Sequence, residues 1–188
     1  MPVPLSESLE KIGPRACAAL FYRGAEEWPE PVSAWLRLGL ARGEKCVVQG
    51  SASFGKEVLA SLQAKGIDVG NALSRGALLV VHRGAAREPA SIREQLGEEC
   101  RLAAAERFSG VRLCVDVSPA PGEALPDAEA AVELAADLRA FVASRSLQGL
   151  FLFREKRFPA SALMGLLRAH PYVLSGGKLL ENYHYAQK

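Results

Sequence analysis

An α/β fold is the architecture this sequence predicts: a mainly parallel five-stranded sheet sandwiched by helices, followed by a C-terminal β-hairpin. Three observations lead there. Five short apolar runs, at 16–22, 46–48, 77–81, 111–117 and 150–153, are near-continuous rather than alternating, as strands covered on both faces are. Segments with helical spacing separate them, which is the βαβ pattern of a parallel sheet. Gly176-Gly177 lies between two further apolar runs, and paired glycines supply the positive φ angles of a tight hairpin.

In chain order, the first strand at 16–22 is followed by a helix over 26–41, with Trp28, Val32, Trp35, Leu36, Leu38 and Leu40 at its apolar positions and Gly43 ending it. Cys46-Val47-Val48 is the second strand, closed by Gly50. Val58, Leu59 and Leu62 mark the next helix, ended by Gly66, and a short helical turn covers 69–75. The third strand, 77–81, precedes a helix over 91–107 with Ile92, Leu96, Cys100 and Ala104 on one face. After the fourth strand come Pro119, Pro121, Gly122 and Pro126, a loop and the best candidate for a mobile segment. Asp127 is placed to N-cap an alanine-rich helix reaching about residue 145. The fifth strand leads to Pro159, which suits a first helical turn, and a helix to about His170. The hairpin runs, 172–174 and 178–180, end the pattern.

Length and composition bound the function. The chain has 188 residues, 49% hydrophobic and 23% charged, as in an ordinary globule, so disorder throughout is excluded and a single domain over 1–188 is expected. A net charge of 23 − 21 = +2 gives no reason to expect direct nucleic-acid binding. No apolar stretch is long enough for a membrane span, and Met1-Pro2-Val3-Pro4 does not open a secretory signal, so a cytoplasmic location is expected. Cys17, Cys46, Cys100 and Cys114 form no CxxC pair, and His82, His170 and His184 are scattered. Neither a metal site nor a cofactor is therefore expected, and the thiols read as core residues in a reducing compartment.

Few motifs carry chemistry. Gly50-Ser51-Ala52-Ser53-Phe54-Gly55-Lys56-Glu57 nearly spells GxxxxGK followed by Ser or Thr, the loop whose backbone cradles phosphates. Glu57 stands where the magnesium-binding hydroxyl belongs, and its charge opposes phosphate. Nucleotide binding through Gly50, Gly55 and Lys56 is thus the alternative reading rather than the favoured one. Asp116 ends the fourth strand and Arg154 the fifth, at the carboxyl ends where open parallel sheets build ligand sites. Neither Ser51 nor Ser53 lies in GxSxG, and no catalytic triad is indicated, so no enzymatic activity is expected. The rings of Tyr183, His184 and Tyr185 read as packing rather than as a pocket.

Cys17-Ala18-Ala19-Leu20-Phe21-Tyr22 with Glu26-Glu27-Trp28, and Leu38-Gly39-Leu40-Ala41-Arg42-Gly43-Glu44-Lys45-Cys46-Val47, carry a resemblance to the MEDS sensory domain, a family named for methanogen proteins and the dichloromethane-responsive repressor. The resemblance continues through Gly66-Ile67-Asp68-Val69 and Arg75-Gly76, then Arg157-Phe158-Pro159, His170-Pro171, Gly177, Glu181-Asn182 and Tyr185. It covers about residues 13–185. The resemblance implies a degenerate relative of RecA/KaiC-like ATPases with three layers, and a ligand-sensing role in prokaryotic signalling, with small hydrocarbon derivatives as the proposed ligands. A RecA-like order would place the first strand between the fifth and the fourth. The chain departs from the family pattern in carrying Cys17 in place of histidine, Phe151-Leu152-Phe153-Arg154 in place of a Cys-x-Tyr-Asp run, and Asp116 in place of glutamate.

The favoured reading is a non-catalytic sensory or regulatory domain that binds a small molecule at the carboxyl ends of the parallel strands. Its partners would be that ligand and a signalling protein, with a homodimer compatible. The candidate lining is Cys17, Tyr22, Asp116, Phe153 and Arg154, with Tyr22 and Phe153 as apolar walls and Asp116 and Arg154 orienting polar groups. A ligand-free protein interaction module is the second alternative.

Overall fold

The computed structural model describes residues 4–82, 89–119, 127–145 and 147–185. Residues 120–126, most of the proline loop, lie outside these. The elements follow in the order α1 (Leu5–Leu9), β1 (Cys17–Tyr22), α2 (Pro29–Ala41), β2 (Lys45–Gly50), α3 (Ala52–Ala64), α4 (Val69–Ser74), β3 (Leu78–His82) and α5 (Pro89–Ala105). Then come β4 (Val111–Asp116), α6 (Ala128–Ala143), β5 (Leu147–Arg154), a 3-10 turn (Glu155–Arg157), α7 (Ala160–Arg168), β6 (Tyr172–Ser175) and β7 (Lys178–Glu181). Only α1 and the 3-10 turn have no counterpart in the sequence reading, and both are too short to show a period.

The sheet has seven strands in the order β3-β2-β4-β5-β1-β6-β7, mostly parallel and flanked by helices. The expected count of five grows because the terminal hairpin joins the same sheet. β6 pairs with β1 in parallel and β7 returns antiparallel, with Gly176 and Gly177 at φ 55° and 71° making the turn. The expected neighbours of β1 also change. β5, not β1, pairs with β4, and β1 lies between β5 and β6. β4, β5 and β1 nonetheless lie side by side.

Strand periodicity sends alternate residues to two cores. Ala18, Leu20 and Tyr22 of β1 join Trp28, Trp35, Phe54, Val58 and Leu62 of the α2 and α3 side. Cys17 and Ala19 join Leu96, Leu138, Phe151, Phe153 and Leu166 of the α5, α6 and α7 side. Each fully buried large apolar side chain contributes about 1.5–3 kcal/mol, so covering both faces supplies the main stabilisation. The helix starts follow local chemistry. Ser51 accepts from Phe54 N at 3.2 Å, Asp68 from Asn71 N at 3.0 Å and Asp127 from Ala130 N at 2.7 Å, while Pro29 opens α2.

The cysteines illustrate the consequence of this burial. Cys17, Cys46 and Cys114 lie inside the sheet. Burial pushes Cys17 and Cys46 up to about 12, and raises Cys114 well above the usual thiol range. Native protein treated with a maleimide at pH 7.5 is expected to label only at Cys100, the half-buried one. Labelling of Cys46 or Cys114 ahead of unfolding would contradict the strand packing.

Candidate functional site

The parity of the strands builds the site. Leu20 and Tyr22, Cys114 and Asp116, and Leu152 and Arg154 are successive same-face residues on β1, β4 and β5. In each pair the first belongs to the core on the α2 and α3 side. The last residues of three adjacent strands therefore emerge on one face at one edge. Register keeps them level, with Tyr22 opposite Arg154 and Asp116 opposite Leu152. The structure brings Tyr22, Asp116 and Arg154 together around a cleft of about 140 Å³.

The remaining walls come from neighbouring elements. Trp28, just before α2, and Phe54 in the first turn of α3 face each other with ring centroids 5.0 Å apart. Ser51, Ser53 and Glu57 contribute from the start of α3, and Ala25, Ser118 and Pro119 from the loops after β1 and β4. Gly50 is required here by space: a Cβ on it would lie 2.5 Å from Phe54 Cδ1 and 3.3 Å from Asp116 Cβ.

Ser118 ties the site together. Its backbone N–H donates to Asp116 Oδ1 at 3.0 Å, and its Oγ accepts the backbone N–H of Arg154 at 2.8 Å. Its side chain also acts on the Tyr22 phenol. Burial first, and then the Asp116 charge, push that phenol up to about 12, against the Ser118 side chain and the Arg154 charge, with Glu57 adding to the rise. Tyr22 is a protonated hydroxyl at neutral pH. It can bind a polar group but holds its proton too firmly to serve as a base.

Arg154 is half-buried and, among the described residues, forms no ion pair with a carboxylate. Neither Asp116 nor Glu57 pairs with it, although all three charges act on the same phenol. The next residue in the charged run is engaged elsewhere: Glu155 pairs with Arg23 at 2.5 Å.

Two expected lining residues lie elsewhere. Cys17 begins β1, roughly 16 Å along the strand from Tyr22 at about 3.3 Å per residue, and faces the opposite core. Phe153 also has the wrong parity. It stacks on Phe21 at 5.4 Å and meets Phe158 and His170 on the other face of the sheet. The Gly50–Lys56 segment is not a wrapping loop. Only Ser51 separates β2 from α3, so Gly55 and Lys56 are helical and no run of free backbone N–H groups surrounds a phosphate. Gly55 serves packing, since a Cβ there would approach Val80 Cγ1 to 2.7 Å, and Lys56 is exposed.

Sequence reasoning missed Trp28, Phe54 and Ser118. Trp28 read as ordinary helix core, and Phe54 only as a variable position of the Gly50–Lys56 motif. Ser118 carries a signal that was legible: it follows Asp116 by two residues, the spacing at which an aspartate accepts a backbone N–H. The terminal rings stay away from the cleft, with Tyr183 93% exposed and Tyr185 accepting from Arg139 Nη1 at 3.0 Å. A wider groove of about 510 Å³ runs between α5 and α6, where Arg93 pairs with Asp137 at 3.6 Å and Arg145 lies over the Phe141 ring at 4.2 Å.

Among the described residues no group of three or more His, Cys, Asp or Glu side chains could hold a metal, and no helix is long and apolar enough to cross a membrane. Sheet and cleft together define a mixed α/β chain with a small polar site at the carboxyl edge of mostly parallel strands. The model of the MEDS family, the methanogen/methylotroph, DcmR sensory domain, matches residues 18–171, and the chain belongs to that family. Tyr22, Asp116 and Arg154 all fall within the matched segment. The family is a sensory one, which suggests a sensory or regulatory role. A comparison with curated proteins gives no match.

Proposed function

We propose that this chain is a non-catalytic sensory domain that takes a small molecule into the cleft at the ends of β1, β4 and β5 and reports occupancy to a partner protein. The observation that supports this best is Arg154, a guanidinium without a carboxylate partner among the described residues, converging with Tyr22 and Asp116 on one cleft. At about 140 Å³ the cleft is well below the 300–1,000 Å³ of drug-sized sites, which suits a ligand of few atoms. A binding role fits better than a catalytic one, because the lining among the described residues holds neither histidine nor cysteine and Tyr22 keeps its proton. Kinship with RecA/KaiC-like ATPases belongs to this reading, with the phosphate loop absent and the site kept at the strand ends.

The test separates binding from stability. Arg154→Ala should change unfolding free energy by under about 1 kcal/mol, as for a surface position. A thermal-shift screen of acids, amines, alcohols and halocarbons of one to four carbons should find a compound that stabilises the wild type and not the variant. A stability loss of about 3–5 kcal/mol would instead make Arg154 a structural residue. A screen with no stabilising compound would count against the sensory reading.

A further inference from the structure

The six parallel strands, in the order β3-β2-β4-β5-β1-β6, are all entered from one edge of the sheet, the edge opposite the cleft. An arginine precedes every one of them by two to four residues: Arg15, Arg42, Arg75, Arg107, Arg145 and Arg168, before β1 to β6 in turn. All six are exposed. With neighbouring strands about 4.8 Å apart, they form a row about 24 Å long. The acids in the same connections are engaged: Glu10 lies 3.8 Å from Arg42, Glu44 meets the buried Arg112, and Glu106 meets Lys45. Arg15, Arg75, Arg107 and Arg168 form no ion pair among the described residues. Glu181, the last residue of β7, stands beyond the end of the row. The whole chain carries only +2, so the row is a segregation of charge rather than an excess of it.

Five of these arginines close helices, α2, α4, α5, α6 and α7, where a cation also complements the helix dipole. The dipole does not account for Arg15, which ends no helix and whose backbone N–H is held by the Leu147 carbonyl at 2.7 Å. Nor does it account for the backbone of Arg15 and Arg107, at φ 65° and 64°. Gly43, Gly66 and Gly76 take φ 70°, 79° and 67° in the turns after α2, α3 and α4, as the left-handed region favours. Arginine at two such positions bears a steric cost that glycine would not. The connections carry no helix or ribbon among the described residues that could enter a groove of a duplex. Their rings are not free to stack on bases, since Phe108 is half-buried and His170 fully buried. A carboxylate-bearing protein surface fits the row better than a nucleic acid does.

We infer that this edge docks the signalling partner, and that the partner presents an acidic helix, about 16 residues long at 1.5 Å per residue to span the row, with its carboxylates set against the guanidinium groups. The docking edge rests on the sensory reading in requiring a partner. None of its residues lines the cleft, so an edge that binds nothing leaves the compound screen at Arg154 intact, and the reverse.

Fluorescence anisotropy of a labelled helical peptide of glutamate and alanine, about 16 residues long, titrated with the full chain at low salt tests it. The expected result is saturable binding that weakens steeply as salt rises. Arg15→Gly with Arg107→Gly should weaken it at least about tenfold, and the variant should stay folded because glycine suits both backbone positions. Arg75→Gln with Arg168→Gln, at the ends of α4 and α7, should weaken it by a similar factor. Lys156→Gln with Lys178→Gln removes the same charge from exposed positions at the opposite edge and should leave binding within about twofold. No peptide binding, or an equal loss in the Lys156 and Lys178 variant, would overturn the docking edge. A DNA oligonucleotide of similar length, single- or double-stranded, that binds more tightly than the peptide through the same arginines would overturn the protein partner in favour of a nucleic acid.

Discussion

Glu44→Ala is expected to lower the unfolding free energy by about 3–5 kcal/mol, a large share of the 5–15 kcal/mol typical of a folded domain. Arg112 is the reason. Its side chain enters the core from the second residue of β4 and is 0% exposed. The Glu44 carboxylate meets it twice, with Nε at 2.5 Å from Oε2 and Nη2 at 3.3 Å from Oε1. Nη2 also donates to Gln148 Oε1, and Gln148 in turn donates to the Ile12 carbonyl at 2.6 Å. The guanidinium lies 4.2 Å from the Trp35 ring, whose Nε1 donates to the Leu113 carbonyl at 2.9 Å. Gly39 makes room, since a Cβ there would come within 2.7 Å of Arg112 Cδ. Removing the carboxylate leaves a full charge in the core with only a neutral amide and a ring beside it. Replacing both partners by apolar residues, as in Glu44→Leu with Arg112→Met, should cost far less, because no charge is then stranded. Urea titrations of the wild type, the single variant and the double variant decide this. The double variant proving as unstable as the single one would show that packing, not charge, sets the cost. The loss should also be nearly independent of salt, unlike any contribution from the exposed Arg101–Glu98 pair.

Arg112 also shows what the sequence hides. Within Val111-Arg112-Leu113-Cys114-Val115-Asp116 it interrupts an apolar run, which is a visible anomaly. Its partners are 68 and 36 residues away in sequence, and no local rule reaches them. The parallel strands were legible because burial on both faces removes polar residues from them, and periodicity reports burial directly. The hairpin was legible because two consecutive glycines have few other uses. Strand order was not. It depends on which edge each crossover returns to, and that choice leaves no trace in composition, so β1 was expected beside β4 rather than beside β6.

The site divides the same way. Tyr22, Asp116 and Arg154 could be found because the end of a strand is marked by the first polar residue after an apolar run. Cys17 and Phe153 were included from the strand and from the family pattern without applying the two-residue period, which sends both to the opposite face. That check was available in the sequence and would have removed them. Gly55-Lys56 misled for a different reason. Glycine at a helix–strand contact and glycine in a phosphate loop look alike until the helix start is known, and here the helix begins at Ala52.

Phe153, displaced from the cleft, leads to the last prediction, because it packs on His170. That ring is fully buried between Phe151 and Phe153, with centroids 5.7 and 5.4 Å away. Its Nδ1 lies 2.8 Å from the Leu166 carbonyl, which can only accept, so Nδ1 carries the proton of the neutral ring. Nε2 then presents a lone pair to apolar surroundings, without a hydrogen-bond partner among the described residues. Protonation would place a charge and an unsatisfied N–H there. Burial accordingly pushes His170 down to about 4, with the Arg139 charge adding to the fall and the Leu166 hydrogen bond opposing it. The sign follows from proton counting. Between pH 6.5 and about 4 the unfolded chain binds a proton at this residue that the folded chain refuses, so stability rises with pH across that window. The contribution is complete above pH 6.5 and disappears as pH falls toward 4, a change of about 3 kcal/mol from this one residue. Carboxylates titrate in the same range, so the measurement is a difference. The wild type and His170→Phe, which keeps an aromatic ring in the cluster, should be unfolded with urea at pH 7.0, 5.5 and 4.5. The variant's deficit relative to the wild type should shrink by about 2.4 kcal/mol, or turn into an advantage, on going from the first pH to the last. Parallel stability curves would mean that the folded protein accepts the proton, and that the ring has a partner the aromatic cluster does not provide.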